Sequence, residues 1–186
     1  MTKQSYIFLA HGVDELEATT TITVLRRAQI PVVSVAVSDI LNVKGATGQT
    51  LVADVLITDV DTSEADWLIL PGGDPGAWNL YKNQEVKDIL TAHFEKGGRF
   101  AAICAAPAIV LARLGVLKGK RATCYPGLGK LIEKRGGTYV RQGVVVESGL
   151  ITTEAPGTTL SFAIEIIRVT KGDKVADDLA ASMLIK

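Results

Sequence analysis

Phe100-Ala101-Ala102-Ile103-Cys104-Ala105-Ala106-Pro107 passes from a short apolar run to a proline across a single cysteine. The run Phe100–Ile103 is continuously apolar, as a strand of a parallel sheet covered on both faces must be. Pro107 stands where a helix best accepts proline, at its first position, so Cys104 occupies a strand-to-helix turn. Ala102 and Ala106 flank it at two residues' distance, and small neighbours let the backbones of a sharp turn approach closely. Such a turn aims Cys104 out of the sheet at the amino end of the next helix. There the unpaired N–H groups and the helix dipole favour thiolate over thiol. From position alone, a buried and inert small hydrophobe is an equally good reading of a free cysteine.

Working outward, Tyr6–Ala10, Val32–Val37 and Trp67–Leu70 repeat the pattern of a short, fully apolar strand. Between the first two, Ala18, Ile22 and Leu25 share one helix face. Asn83 caps a helix carrying Val86, Ile89, Leu90 and Phe94, which Gly97-Gly98 stops. Asn42–Ala53 breaks the rhythm with short strand-like pieces around Gly45 and Gly48, and Val144–Thr153 reads as a hairpin around Glu147-Ser148-Gly149. A helix bearing Leu160, Ala163, Ile166 and Ile167 ends at Gly172, and a short helix follows from about Lys174. The alternation predicts one domain over residues 1–186: an α/β, three-layer, doubly wound fold with a mostly parallel sheet and helices on both faces.

Twenty Lys and Arg balance twenty Asp and Glu among 186 residues, so no basic stripe is available for nucleic acid. No segment approaches the roughly 18–20 apolar residues that span a bilayer. The amino-terminal apolar run is too short for a secretory signal. The expectation is a cytoplasmic protein without a membrane or nucleic-acid partner. Cys104 and Cys124 fit neither a C-x-x-C redox pair nor a zinc set, so both are expected as free thiols, Cys124 as a passive strand residue. No glycine-rich nucleotide motif is present.

In an open parallel sheet, ligands collect beyond the carboxyl ends of the strands. Besides the cysteine turn, those ends carry His11–Glu17 and Pro71–Gly76. Gly72 and Gly73 expose N–H groups that, with that of Ala105, can form an oxyanion hole; a simple tight turn is the bland reading. Glu17 can shuttle a proton if burial raises its pKa, although its place near a helix start favours a solvated carboxylate. Only two histidines occur, His11 and His93, and neither follows Cys104, so a triad with a downstream histidine is absent. His93 is read as a surface or core-edge residue, and His11 ends the first strand.

Leu70-Pro71-Gly72-Gly73, Ala101–Pro107 and Ala155-Pro156-Gly157-Thr158 occur in the order and spacing of the ThiJ/PfpI superfamily. The chain resembles, over essentially its whole length, the branch holding the parkinsonism-associated deglycase and bacterial YajL. The resemblance implies a flavodoxin-like sandwich, a homodimer with Leu16 and the first helix near its interface, and a strained nucleophilic Cys104. It implies that Glu17 is buried, protonated and hydrogen-bonded to the sulfur, and that Gly73 and Ala105 hold the substrate oxygen. Pro156 falls in the loop closing the pocket, and Arg27 matches a pocket arginine. Three positions depart from relatives: Ala105 replaces the histidine of protease-like members, Tyr125 replaces a histidine before Pro126, and Thr47 replaces an anion-pocket arginine. Tyr125 can hydrogen-bond and move a proton, but a phenol with a pKa near ~10 is a poor base at neutral pH.

The function so implied is cofactor- and metal-independent cysteine chemistry on small reactive aldehydes or glycated groups. Its form is a glutathione-independent glyoxalase (glyoxalase III, methylglyoxal to lactate) and/or a protein deglycase. The alternative is a cysteine-oxidation redox sensor or stress-linked chaperone without significant turnover.

Overall fold

A computed structural model describes residues 3–185. In chain order the elements are β1 (Ser5–Leu9), α1 (Glu15–Arg27), β2 (Val32–Ala36), β3 (Asn42–Lys44), β4 (Thr50–Val52) and β5 (Val55–Leu56). They continue with β6 (Trp67–Leu70), α2 (Gly76–Lys82), α3 (Gln84–Glu95), β7 (Arg99–Ile103), a π-helical turn (Pro107–Leu111) and β8 (Arg121–Ala122). The rest are α4 (Gly129–Glu133), β9 (Thr138–Tyr139), β10 (Val144–Glu147), β11 (Leu150–Thr153), α5 (Thr159–Lys171) and α6 (Asp173–Ser182).

Seven strands form the main sheet in the order β10-β11-β7-β6-β1-β2-β5, parallel throughout except for the β10–β11 hairpin. The fully apolar strands have a direct explanation in the two cores. Ile7 and Leu9 pack into one with Trp67, Ile69, Ala101 and Phe162, while Phe8, Leu68, Leu70 and Phe100 pack into the other. Residues of alternate parity thus feed opposite faces, and neither face meets water. α1, α5 and α6 pack together on one side; α2, α3, α4 and the π-helical turn cover the other. Fully buried Trp67 satisfies its indole N–H on Thr170 Oγ1 at 2.9 Å, and the Arg99 guanidinium stacks 4.6 Å from its ring while pairing with Asp66.

From β1 the chain builds outward to β2 and β5, then restarts on the other side of β1 with β6, β7 and β11. The order reverses between β1 and β6, and there the loops leave the carboxyl ends in opposite directions and open a crevice. α1 starts at this crevice because Asp14 caps it, its Oδ1 accepting the Glu17 N–H at 3.1 Å. Among the described residues no helix is long and apolar enough to cross a membrane.

Asn42–Ala53 breaks the rhythm as expected, β3 and β4 forming their own antiparallel pair apart from the main sheet. Several local expectations need correction. Leu160 faces outward at 40% exposure, because α5 buries Phe162, Ala163, Ile166 and Ile167 instead. His93 is buried: its Nε2 bonds to Arg99 O at 3.1 Å, its ring meets Phe100 edge-on, and burial holds its pKa below the ordinary value. Cys124 is buried but lies beyond the end of β8 rather than within it.

Candidate functional site

Cys104 follows β7 directly and adopts φ 61°, the left-handed region that a non-glycine residue enters at a cost of about 1–3 kcal/mol. Its backbone is held on both sides: its N–H donates to Thr153 O at 2.9 Å, and its carbonyl accepts the Tyr125 N–H at 2.7 Å. Gly72 has to be glycine here, since a Cβ would stand 2.7 Å from Cys104 Cβ and 3.1 Å from Ala105 N. The N–H groups of Gly73 and Ala105 face the sulfur and pull its pKa down, but burial and then the Glu17 charge outweigh them and push it up to about 12. Burial and the Glu17 charge thus act against the thiolate that a helix start favours. The helical segment beyond Cys104 is a single π-helical turn in a dry setting, and desolvation dominates.

Glu17 is fully buried, which corrects the reading of a solvated carboxylate and agrees with what the resemblance implied. Its position in the first turn of α1 points it under the crevice, where Oε2 accepts the Gly72 N–H at 2.7 Å. Oε1 has no hydrogen-bond partner and the carboxyl interacts with the Cys104 thiol. Burial raises its pKa to about 7, against the Gly72 N–H that lowers it, with the nearby Asp14 charge raising it further. Near neutrality the carboxyl thus exists in both forms: as a carboxylate it can take the thiol proton, and as an acid it can return one.

The Gly72 contact also corrects the predicted oxyanion hole. Its N–H is committed to Glu17, leaving Gly73 and Ala105 as the donors beside the sulfur. These two residues, Cys104, Tyr125 and Pro156 line one cavity of about 730 Å³. Tyr125 is 47% exposed at its mouth, and Pro156 opens the short helical turn before α5. Arg27 is not brought there: it is exposed in the last turn of α1, ten residues beyond Glu17, or about 15 Å along the helix. His11 also lies apart, its Nδ1 accepting the Lys44 N–H at 3.0 Å.

Sequence reasoning missed Trp78, Ile109 and Leu128, which form apolar walls of the cavity, and Asp14 and Asp74, which add carboxylates to its lining. Trp78 and Ile109 begin the helical segments following β6 and β7, so their proximity to the crevice was the available signal. Glu15 was missed too. Its buried Oε1 accepts Thr47 N–H at 2.9 Å, Thr47 Oγ1–H at 2.9 Å and Gln49 N–H at 3.2 Å, and these bonds hold its carboxyl below the usual range against the effect of burial. This clips the β3–β4 turn onto α1 and seats Ala46 in the cavity wall.

The family model described as the DJ-1/PfpI family matches residues 3–169. The chain is 35% identical over 185 residues to protein DJ-1 homolog A of Arabidopsis thaliana, an alignment covering 100% of this chain and 47% of that relative. It thus spans about half the length of that protein. It is 32% identical over 166 residues to a Caenorhabditis elegans protein named glutathione-independent glyoxalase DJR-1.2, covering 89% of this chain and 87% of the relative. The crystal structure of Drosophila melanogaster DJ-1beta is similar at a TM-score of 0.94 and 33% identity, with 100% of each chain covered.

Proposed function

The chain belongs to the DJ-1/PfpI family, and from that premise we propose that it is a cofactor-independent cysteine enzyme acting on reactive dicarbonyls. The observation that carries this reading is the buried Glu17 carboxyl against the Cys104 thiol, with two N–H groups directed at the same sulfur. The name of the Caenorhabditis elegans relative, a glutathione-independent glyoxalase, supports the same class.

The steps derive from the pair. Cys104 Sγ bonds to the aldehyde carbon of methylglyoxal while its proton passes to Glu17. The former carbonyl oxygen, now an oxyanion, takes the N–H groups of Gly73 and Ala105. Protonation of that oxygen by Glu17 gives a hemithioacetal and restores the carboxylate. Glu17 then removes the hydrogen of the former aldehyde carbon as a proton, its bonding pair forming an enediolate. Return of that proton to the neighbouring carbon, with the hydroxyl proton passing from the first oxygen to the second, oxidises the first carbon and reduces the second. The resulting 2-hydroxyacyl thioester is hydrolysed by water to lactate and the free thiol. No outside oxidant or reductant is consumed. In the deglycase form of this reading a dicarbonyl added to a protein amine as a hemiaminal releases the amine, protonated as the C–N bond breaks, and the aldehyde so freed enters the same steps. In this reading Tyr125, which lines the same cavity, hydrogen-bonds the second substrate oxygen.

A redox sensor needs standing thiolate for a free peroxide to meet. Burial and the Glu17 charge push the Cys104 thiol up and so disfavour standing thiolate, whereas a bound aldehyde is attacked as Glu17 takes the proton. The discriminating experiment compares peroxide with glyoxal, glutathione being omitted. Glycolate formation that vanishes in Cys104→Ser is the expected result. Fast, selective Cys104 sulfinylation without any glycolate would favour the sensor.

A further inference from the structure

We propose that the cavity over Cys104 selects bulky, uncharged 2-oxoaldehydes, aryl glyoxals as a class, over small or anionic ones. The proposal rests on the role of Cys104 and Glu17 given above and adds the substrate class. A cavity of about 730 Å³ far exceeds a three-carbon aldehyde; sites of this size hold drug-sized ligands. Its walls are apolar and partly aromatic, from Trp78, Ile109 and Leu128 with Tyr125 at the mouth. Among the described residues no lysine, arginine or histidine lines it, whereas the carboxylates of Asp14 and Asp74 do.

Trp78 is the specificity-determining residue. The Arg113 guanidinium stands 4.8 Å from its ring and 5.2 Å from that of Tyr81, so it bridges two aromatic side chains of α2. This cation–π contact holds the indole as a rigid wall, and it occupies the guanidinium outside the cavity lining. A flat aryl group buries against that wall; a methyl group leaves it wet. A negative substituent meets the carboxylates of Asp14 and Asp74 in the lining.

The test measures kcat/KM without glutathione for methylglyoxal, phenylglyoxal and 4-carboxyphenylglyoxal, in wild type, Trp78→Ala and the more conservative Trp78→Leu. Phenylglyoxal is expected to exceed methylglyoxal, and the added carboxylate to cost about tenfold or more relative to phenylglyoxal. The phenyl-to-methyl ratio is expected to fall about tenfold in Trp78→Ala and less in Trp78→Leu, a comparison that cancels intrinsic aldehyde reactivity. A second readout needs no turnover: rates of Cys104 alkylation by phenacyl chloride, chloroacetone and chloroacetate, mapped by mass spectrometry and normalised to free glutathione. Phenacyl chloride is expected fastest and chloroacetate slowest. If no aldehyde turns over but this order holds, the glyoxalase reading fails and the selectivity stands. Equal handling of the charged and uncharged aryl reagents, or a phenyl preference unmoved in both Trp78 variants, overturns the proposal.

Discussion

At the residue scale, Glu17 and Cys104 occupy a space that solvates neither charge, and this sets the pH behaviour. The carboxylate form of Glu17 has to receive the thiol proton, so kcat/KM is expected to rise with pH through about 7 and then level. A flat profile from pH 5.5 to 8.5 would remove Glu17 from that role. Stability runs the opposite way. With its pKa raised from 4.5 to about 7, Glu17 binds a proton more tightly folded than unfolded. Its favourable contribution is full below the unfolded value and is lost as pH climbs through the folded one. At about 1.4 kcal/mol per pH unit the loss is roughly 3 kcal/mol, so Glu17→Gln, which keeps the shape without the charge, is expected to be about 1–3 kcal/mol more stable than wild type at pH 8. Urea unfolding should show that advantage shrinking toward pH 4.5; a constant difference would contradict the buried-carboxyl assignment. Glu17 illustrates what sequence leaves open. Its place near a helix start reads as solvated, and only the approach of the Pro71–Gly73 turn seals it in.

At the element scale, the strand-to-helix turn was legible because alanines and Pro107 mark it locally, while its partners come from distant chain. Gly72 is the clearest case. A glycine after β6 suggested a donor for substrate, yet its N–H is consumed by a carboxyl fifty-five residues earlier. Gly72→Ala is expected to displace Cys104 and Ala105, costing about 1–3 kcal/mol by overpacking and at least tenfold in activity. Thermal melting together with the aldehyde assay checks it, and unchanged activity would mean that the elbow does not require this close approach. The β3–β4 turn depends on Glu15 in a comparable way, since three of its donors end on one buried oxygen. Glu15→Ala is expected to destabilise by about 1–2 kcal/mol and to speed amide exchange at Thr47 and Gln49. Unaltered exchange there would show that the turn is held by its own backbone. Thr47 could be matched to a family position from sequence, but its use as a clip depends on a contact with α1 that no local pattern announces.

For the whole molecule, the run of apolar strands fixes a covered parallel sheet, and the reversal between β1 and β6 sets the crevice that gathers Glu17, Gly73 and Cys104. Hydrophobic continuity made the sheet readable, whereas matching by motif does not convey that Arg27 stands ten residues along α1 from Glu17 in the same chain. Trp78 escaped notice because an aromatic residue in a helix ordinarily reads as core. The resemblance also implies a homodimer built near α1, and Leu16, exposed at 53% on that helix, is a side chain such an interface would cover. Sedimentation is expected to give twice the 19.7 kDa chain mass for wild type and a monomer for Leu16→Arg. A wild-type monomer would remove the dimer. The most direct test of the Cys104–Glu17 pair is lactate formation from methylglyoxal, with no glutathione present, in wild type, Cys104→Ser and Glu17→Gln. Turnover in wild type that disappears in Cys104→Ser and falls at least a hundredfold in Glu17→Gln, the order of a lost general acid–base, is the expected result. Lactate formation that survives in both variants would contradict it.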